Sequence, residues 1–408
     1  MPEHGLANFA AFGDVRRFNR FRMKFDQRRI AIAFCAIGAF LHLYAPQAVL
    51  PMMAQELNVG AASASRVITA GTLAVALTAP FTGAISDVLG RRRVIVAAMM
   101  LLLIPATMSA FAPTLEQLIF WRFVHGLLLP PIFAVTVAYI GDEYPLKEAN
   151  VVFGIYASAS AVGGFLGRLI PGMLTEHVGW RGGFLALAGG TAICLAVVSI
   201  LLPPERNFRR ASDLRTSLRQ MLAHLRNPRL LVIYGVGFGV LFNFVATFTY
   251  LSFHLAAPPF SRSPAFLGAI FFVYLVGAAA SLMLGRAIEK LGRRTFVLCV
   301  LAVWAAGMLC SLIPSIAVIV GTLAIASTCG ILVQGSSTSF VGNIAKTGRS
   351  AAVGLYVTSF YIGGTFGGWL PGLAYEAGGW TFSLTLVIVM LAIMAAVVWG
   401  TWKDAPAS

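Results

Sequence analysis

Long apolar segments recur along the whole chain, and they constrain its fold more than any other feature. A helix needs ~20 mostly apolar residues to cross the hydrocarbon core of a bilayer, and charged residues and Gly/Pro clusters divide this chain into twelve such segments. Charged residues make up only 11% of the chain, against about 25% in soluble domains. The sequence therefore predicts an all-α polytopic membrane protein with twelve transmembrane helices in two six-helix bundles.

The segments form two sets of six, separated by a basic loop. The first set lies at about residues 30–54, 64–88, 94–112, 116–140, 151–175 and 182–203, and the second at about 230–256, 265–288, 295–313, 316–343, 351–375 and 381–401. The predicted regions are an N-terminal tail at 1–29, a first bundle at 30–203, a central loop at 204–229, a second bundle at 230–402 and a C-terminal tail at 403–408.

Basic residues are concentrated on one side of this topology. The N-terminal tail, the central loop and the loops after the second and eighth segments carry most of them, whereas the alternate loops carry only Arg66, Arg181 and Arg262. Cytoplasmic loops are rich in Lys and Arg, so both termini are predicted to be cytoplasmic, in a multi-pass protein of a bacterial inner membrane. This distribution accounts for the net charge of +15, and nucleic-acid binding is not predicted.

Two basic stretches also carry apolar residues at near-helical spacing. Each fits either an amphipathic helix on an anionic leaflet or a solvated basic linker, so membrane lipids are predicted partners. The apolar residues are Phe9, Phe12, Phe18, Phe21 and Phe25 in the tail and Leu214, Leu218, Leu222 and Leu225 in the central loop.

The sequence repeats itself at an offset of 200 residues. The segment GIYASASAVGGFLGRLIPGMLTEHVGW, from Gly154, aligns with GLYVTSFYIGGTFGGWLPGLAYEAGGW, from Gly354. Parallel repeats of this kind occur in two-bundle secondary transporters. In this alignment Arg168 corresponds to Gly368.

Arg168 is the one basic residue between Val151 and Leu174. A charge at the centre of a bilayer costs about 2.5–3.5 kcal/mol on insertion scales. Because the twin helix has Gly368 at this position, the fold does not require the cation, and a functional role is predicted. The alternative is a long side chain that snorkels to the headgroups.

The loop after the second segment reads GAISDVLGRRR from Gly83, and a weaker copy, GRAIEKLGRRT, begins at Gly285. With these motifs, the twelve segments and the repeat, the chain resembles the major facilitator superfamily over nearly its whole length. The resemblance implies two six-helix bundles and a gating role for the loop. The gating residues are Gly83, Asp87, Gly90, Arg91, Arg92 and Arg93, with Glu289, Gly292 and Arg293 in the second copy.

In that family the acid of this motif faces the start of the eleventh helix, where the helix dipole favours negative charge. The resemblance therefore implies that Asp87 contacts the turn at residues 350–354 and latches the cytoplasmic side shut in an outward-open state. Gly83 is predicted to allow close helix packing and Gly90 a tight turn. A simple anchoring turn is the alternative to the latch.

The fifth segment resembles the signature of drug:proton antiporters, which ends G-P-x-x-G-G, with two departures. The proline is replaced by Gly164 and the last glycine by Arg168. The resemblance favours the exporter branch, which includes multidrug antiporters. The motif residues are Gly163, Gly164, Gly167, Pro171 and Gly172.

None of the fifteen acidic residues is predicted at mid-membrane, where many proton-coupled antiporters use a carboxylate. The resemblance implies that segments 1, 4, 7 and 10 line a central cavity, with segment 5 beside it. Two cations there without an acid produce a positive field that favours an anionic or carboxylate-bearing substrate. The predicted substrate-binding residues are His42, Arg122, His125, Arg168, Asn243 and Gln334, followed by Tyr44, Gln47, Tyr356 and Tyr361.

Histidine titrates nearest to neutral pH, so His42 and His125 are the candidate proton carriers. Two alternatives stay open: the histidines are ordinary packing residues, or coupling follows the charge of the substrate.

We therefore predict a monomeric secondary active transporter that exports a small organic or drug-like solute in exchange for protons, by alternating access. The alternative is an importer or exchanger of an organic anion, and a receptor without transport is a further reading. An enzyme is not predicted, because no H-E-x-x-H, paired intramembrane aspartates or G-x-S-x-G appears. The five cysteines lack metal-ligand spacing, and no metal or other cofactor is predicted.

Overall fold

The computed structural model describes residues 26–206, 214–345 and 348–402, and within them it contains helices and turns but no strand. Nine helices of this part of the chain are long and apolar enough to cross a membrane. The predicted all-α membrane fold is confirmed, whereas the count of twelve helices and the domain boundaries stay predictions. The aromatic residues of the N-terminal tail lie outside the described residues.

The helices follow the order of the predicted segments. The first half contains α1 (Gln27–Leu43), α2 (Leu50–Glu56), α3 (Ala61–Leu89), α4 (Arg91–Phe111), α5 (Leu115–Leu128), α6 (Pro130–Glu143) and α7 (Leu146–Leu201). The second half contains α8 (Leu214–Leu225), α9 (Pro228–Ala256), α10 (Pro264–Ala269), α11 (Val273–Ala280), α12 (Leu284–Leu291), α13 (Arg293–Cys310), α14 (Ile316–Ile344) and α15 (Arg349–Thr401).

Helices α7 and α15 each turn back at glycine. As one straight helix, the 56 residues of α7 would extend roughly 84 Å at ~1.5 Å per residue, against a hydrocarbon core of ~30 Å. Gly179 (φ +69°) and Gly379 (φ +65°) adopt left-handed conformations that glycine tolerates. These kinks divide α7 into α7N (residues 146–178) and α7C (180–201), and α15 into α15N (349–377) and α15C (380–401). We call this end of the molecule the kink end.

In each bundle, one helix packs closely against a neighbouring helix: α7N against α1, and α15N against α9. A Cβ on Gly163 would lie 2.8 Å from Ile37 Cα, and one on Gly167 would overlap the backbone of Leu41, both on α1. The twin residues Gly363 and Gly367 meet the backbone of α9 in the same way. Small residues let helix backbones approach closely in membranes, so two of the predicted motif glycines are packing residues of α7N.

The two halves of the chain meet along two seams. In the first seam α7N packs against α10 and α11, and in the second α15N packs against α3. Near the kink end both seams are tight, because a Cβ on Gly172 would lie 2.7 Å from Pro264 O and one on Gly372 would lie 3.0 Å from Ala62 Cα.

The gating motif lies at the opposite end, which we call the basic end. Gly90 (φ +93°) and Gly292 (φ +75°) form the tight turns predicted there. The carboxylate of Asp87 pairs with Arg91 at 2.5 Å, and Arg91 also reaches Asp142 at 3.1 Å. Among the described residues Asp87 forms no hydrogen bond or ion pair with the turn at 351–354, so the implied latch stays a prediction.

Other residues of the motif differ from their predicted roles. Among the described residues, no atom lies within 4 Å of the Cβ position of Gly83, so the close helix approach predicted for Gly83 stays a prediction. Arg92 donates to the carbonyls of Ser199 and Leu202, and Arg293 donates to that of Ser336. These two arginines therefore anchor helix ends within their own bundles.

The central loop contains helix α8, in agreement with the helical one of the two readings of its spacing. His224 Nε2 lies 3.2 Å from the carbonyl oxygen of Gly348, at the start of α15. Leu222 and Leu225 are exposed, so contact of α8 with a lipid leaflet stays a prediction.

The glycine packing makes a stability prediction. Gly163→Ala should lower the free energy of unfolding by about 1–3 kcal/mol, because its Cβ overpacks the α1 contact. The measurement is thermal or denaturant unfolding of the purified protein in detergent.

Gly154→Ala is the matched control, since Gly154 is a glycine of the same helix with no atom within 4 Å of its Cβ position. It should be neutral or stabilise the protein by up to about 1 kcal/mol. Equal effects of the two substitutions would contradict the packing role of Gly163.

Candidate functional site

Arg168 lies on α7N with only 4% of its surface exposed. Its Nε donates to Gln47 Oε1 at 2.9 Å, and its Nη1 donates to the carbonyl of Gly164, one turn earlier, at 2.5 Å. The side chain does not reach the surface, so the alternative of a snorkelling arginine is wrong.

Three aromatic rings surround this guanidinium. Its Cζ lies 5.1 Å from the ring centroid of Tyr44, 4.6 Å from that of Phe271 and 4.9 Å from that of Tyr274. Cation–π contacts of this kind contribute about 2 kcal/mol or more when they are desolvated. Among the described residues no carboxylate pairs with Arg168, so its partners are rings and amide groups that carry no negative charge.

These contacts connect the two halves of the chain across the first seam. Tyr44 and Gln47 follow α1, whereas Phe271 and Tyr274 belong to α10–α11 of the second half. Gln47 continues the connection, because its Nε2 donates to Thr249 Oγ1 on α9 at 3.2 Å. We call Arg168, Tyr44, Gln47, Thr249, Phe271 and Tyr274 the Arg168 junction.

The second seam has no room for such a side chain. A Cβ on Gly368, the twin of Arg168, would lie 2.5 Å from Thr69 Cγ2 on α3. The Gly368 carbonyl accepts a hydrogen bond from the hydroxyl of Tyr250. The two seams of the repeat therefore differ: one contains a buried cation, and the other is closed by direct packing.

Arg122, His42 and His125 form a second polar cluster. Arg122 donates from Nη2 to the carbonyl of Leu43 at 2.6 Å, and its Nε lies 3.5 Å from that of Val67. The ring centroids of the two histidines are 4.7 Å apart, and His42 Nε2 lies 2.6 Å from Thr191 Oγ1.

This cluster lies inside the first bundle. The cavity beside these residues has a volume of about 10 Å³ in which the centre of a water molecule can lie, roughly the minimum for one water. All of its lining residues come from α1, α4, α5, α7C and the 3-10 turn after α1. His125 is 1% exposed, and neither of its ring nitrogens has a hydrogen-bond partner in the described structure. The structure thus places these residues within one bundle, rather than between the two bundles as the resemblance implied.

The remaining predicted residues stand apart from both clusters. Asn243 on α9 donates to the Gly239 carbonyl at 2.8 Å and faces Met394 of α15C, inside the second bundle. Gln334 is a half-buried residue of α14. The substrate-binding role predicted for both stays a prediction.

Sequence reasoning missed two of the three rings of the junction. Phe271 and Tyr274 were not candidates, although Gly268, Phe271 and Tyr274 are spaced by three residues and so lie near one helical face. A Cβ on Gly268 would lie 2.7 Å from the Arg168 carbonyl oxygen, which is why the rings that follow it can reach the guanidinium. A second aromatic contact between the halves joins Phe133 and Tyr361, with centroids 6.2 Å apart.

Comparison with known proteins agrees with this architecture. The Major Facilitator Superfamily profile matches residues 32–278 and 254–408. An uncharacterized MFS-type transporter of Bacillus subtilis (strain 168), YybF, is 27% identical over 369 residues, which cover 90% of this chain and 91% of that protein. The inner membrane transport protein YnfM of Escherichia coli (strain K12) is 28% identical over 376 residues, 91% of this chain and 89% of YnfM.

A crystal structure of the nucleoside transporter NupG shows the same fold. It superposes with a TM-score of 0.75, at 16% identity, over 92% of this chain and 100% of NupG. The two packed halves with a repeated helix pattern define the class: a multi-pass membrane transporter of small molecules. Within that class, the chain belongs to the major facilitator superfamily, whose similar members are named as transporters rather than enzymes.

The contacts of Arg168 lead to a prediction that distinguishes a functional role of this residue from a structural one. Arg168→Met removes the cation–π contacts and hydrogen bonds of the guanidinium, but it also removes the cost of burying a charge with no acidic partner among the described residues. Because these effects offset one another and much of the side-chain volume is kept, the free energy of unfolding should change by no more than about 1 kcal/mol. The measurement is thermal unfolding in detergent, with Arg262→Met, a change at an exposed arginine of the kink end, as control. A loss of several kcal/mol only in Arg168→Met would show that the cation is structural.

Proposed function

We propose that this transporter exports a small, carboxylate-bearing organic or drug-like solute in exchange for protons, by alternating access. The observation that carries the proposal is the buried guanidinium of Arg168, which joins both halves of the chain without a carboxylate partner. Burying a charge without a counter-charge costs free energy, so the binding of an anion next to Arg168 is favourable. Arg122, in the separate cluster inside the first bundle, is a second buried cation, and its hydrogen bonds to described residues go to carbonyl groups.

The distribution of basic residues supports an orientation with the kink end facing the periplasm. In that orientation the Arg168 junction and the tight ends of the seams close the periplasmic side, and the cytoplasmic side is the one that admits substrate. Nη1 of Arg168 bonds to Gly164, one turn toward the basic end, so the guanidinium faces a solute that enters from the cytoplasm.

An anion at this position competes with the existing contacts of Arg168. A carboxylate offers charge-assisted hydrogen bonds, which are about twice as strong as neutral ones, and it would take the place of Gln47 Oε1. Since Gln47 also bonds to Thr249 across the halves, its release weakens the junction. Substrate binding would thus favour separation of the two bundles on the periplasmic side.

The histidine pair supports a role in proton coupling. The His125 ring has no partner for either nitrogen and borders the small cavity, so a water there can deliver a proton to it. His42 stands beside it and is fixed by Thr191. We propose His125 as the proton carrier and His42 as its neighbour in the relay.

Import or exchange of an organic anion is the second candidate. The same unpaired cation favours it, since the charge of Arg168 selects the solute and leaves the direction of transport open. The direction of the coupled proton flux distinguishes the two, because an importer moves protons and solute the same way.

Proteoliposomes with an imposed pH gradient test the anion site. Aromatic and aliphatic carboxylates should evoke proton flux in the wild type, and Arg168→Met should weaken their apparent affinity or transport about 10- to 100-fold, the loss expected for a hydrogen bond to a charged group. Arg262→Met is the control and should resemble the wild type. Equal transport of cationic drugs by wild type and Arg168→Met, with no response to carboxylates, would contradict the proposal.

The proton carrier is tested separately by comparing coupled flux with exchange. His125→Asn should abolish substrate-evoked proton flux, whereas solute exchange across the membrane without a gradient should persist, because exchange needs no net proton movement. His177→Asn, at an exposed position of the kink end, is the control. Unchanged proton flux in His125→Asn would exclude this histidine as the carrier.

A further inference from the structure

The two seams also differ toward the basic end. In the second seam α15N stays close to α3 over most of its length. Thr365 Oγ1 lies 3.1 Å from Thr72 Oγ1 near the middle of the seam, and the Cβ position of Gly354, near the basic end, lies 4.0 Å from Pro80 Cα. The second seam is therefore closed from the kink end almost to the basic end.

The corresponding positions of the first seam are apart. Gly154 is the twin of Gly354, and Leu282 is the twin of Pro80, because it precedes Gly285 by three residues as Pro80 precedes the glycine of the first motif copy. Among the described residues no atom lies within 4 Å of the Cβ position of Gly154, and Leu282 is 86% exposed. The first seam is therefore open at its basic end.

Large side chains in the middle of the first seam account for this opening. Phe165 on α7N and Phe271 and Tyr274 on the α10–α11 segment correspond, by the two repeat offsets, to threonines of the second seam. The distance between packed helices depends on the side chains at their contact. Three rings and the guanidinium of Arg168 hold the helices apart here, although small residues keep them together nearer the kink end.

The open part of the first seam is lined by apolar side chains. The rings of Phe165 and Phe272 meet edge to face, with centroids 6.3 Å apart, and Phe272 is exposed, whereas its neighbour Phe271 faces the guanidinium. Val162 and Val276 are also exposed. They lie one turn closer to the basic end on the same helix faces, since they are three and four residues from the two rings. We call Phe165, Phe272, Val162 and Val276 the seam groove.

We propose that the first seam binds an amphiphilic monocarboxylate, with its carboxylate at Arg168 and its apolar tail in the seam groove. The inference rests on the proposed anion site and specifies the chemistry of its solute. A guanidinium without a negatively charged partner at the inner end of an apolar groove is complementary to a molecule with one charged end and one apolar end.

The dimensions of the groove determine which solutes use it. Val162 is six residues from Arg168, which corresponds to roughly 9 Å along the helix at ~1.5 Å per residue. A short acid such as butanoate stays near the guanidinium, whereas the chain of dodecanoate is long enough to reach both valines. The edge-to-face contact of Phe165 and Phe272 lies on this path, so the two rings turn aside when the tail is bound.

The test compares a long and a short acid on the same protein. Butanoate and dodecanoate are titrated into the full chain in lipid nanodiscs, and binding is measured by calorimetry after subtraction of the heat from empty nanodiscs. The groove variant is Val162→Ser with Val276→Ser. The matched control is Val303→Ser with Val389→Ser, which changes two exposed valines of α13 and α15C outside both seams.

The groove variant should bind dodecanoate about four- to fifteenfold more weakly than the wild type, since each buried CH2 group contributes about fourfold. Its affinity for butanoate should change by less than about twofold, because distant sites act independently, and this result also verifies that the variant is folded. The control variant should resemble the wild type with both acids. Because each comparison uses the same acid in the same lipid, partition of the acid into the bilayer cancels.

Equal affinity of wild type and groove variant for dodecanoate, with binding of both acids still weakened by Arg168→Met, would overturn this inference and leave the anion site intact. In that case lipid chains occupy the groove. If neither acid depends on Arg168, the proposed anion site itself is contradicted. Dodecyltrimethylammonium, which has the same tail and a positive head, should not distinguish the groove variant from the wild type, and a tenfold loss with this cation would also overturn the inference.

Discussion

Close contact between helix backbones is the constraint on which the rest of the structure depends. In a bilayer, helices associate by van der Waals packing rather than by the hydrophobic effect, and here Gly163 and Gly167 bring α7N onto the backbone of α1, as their twins do with α15N and α9. This packing fixes the rotation of α7N and α15N. The next residue in each helix, Arg168 or Gly368, then faces the seam between the two halves.

The same repeat thus presents two different surfaces to the two seams. The first seam contains a cation that is held by rings and an amide, and the second contains a glycine that packs on Thr69. Charge interactions are much stronger in a buried, low-dielectric site than in water. We therefore propose that the first seam, rather than the second, recognises the solute.

The fold was predictable because the apolar segments and the internal repeat at an offset of 200 residues can be read from the sequence alone. A functional role for Arg168, inferred from the glycine at its twin position, stays a prediction. Its partners were not predictable, because Phe271 and Tyr274 become neighbours of Arg168 only through the close approach at Gly268. Arg122 and the histidines were predicted to line the central cavity from the resemblance, but Arg122 and His125 on α5 face His42 on α1 inside the first bundle, where the backbone carbonyls of Leu43 and Val67 accept hydrogen bonds from the guanidinium.

The central claim is that an anionic solute supplies the counter-charge that Arg168 lacks. An experimental structure of the protein with a transported carboxylate bound tests it most directly. The account predicts carboxylate oxygens within hydrogen-bond distance of the Arg168 guanidinium, with the bond between Arg168 and Gln47 broken. A bound carboxylate elsewhere in the protein, with Arg168 still bonded to Gln47 inside its three rings, would contradict it.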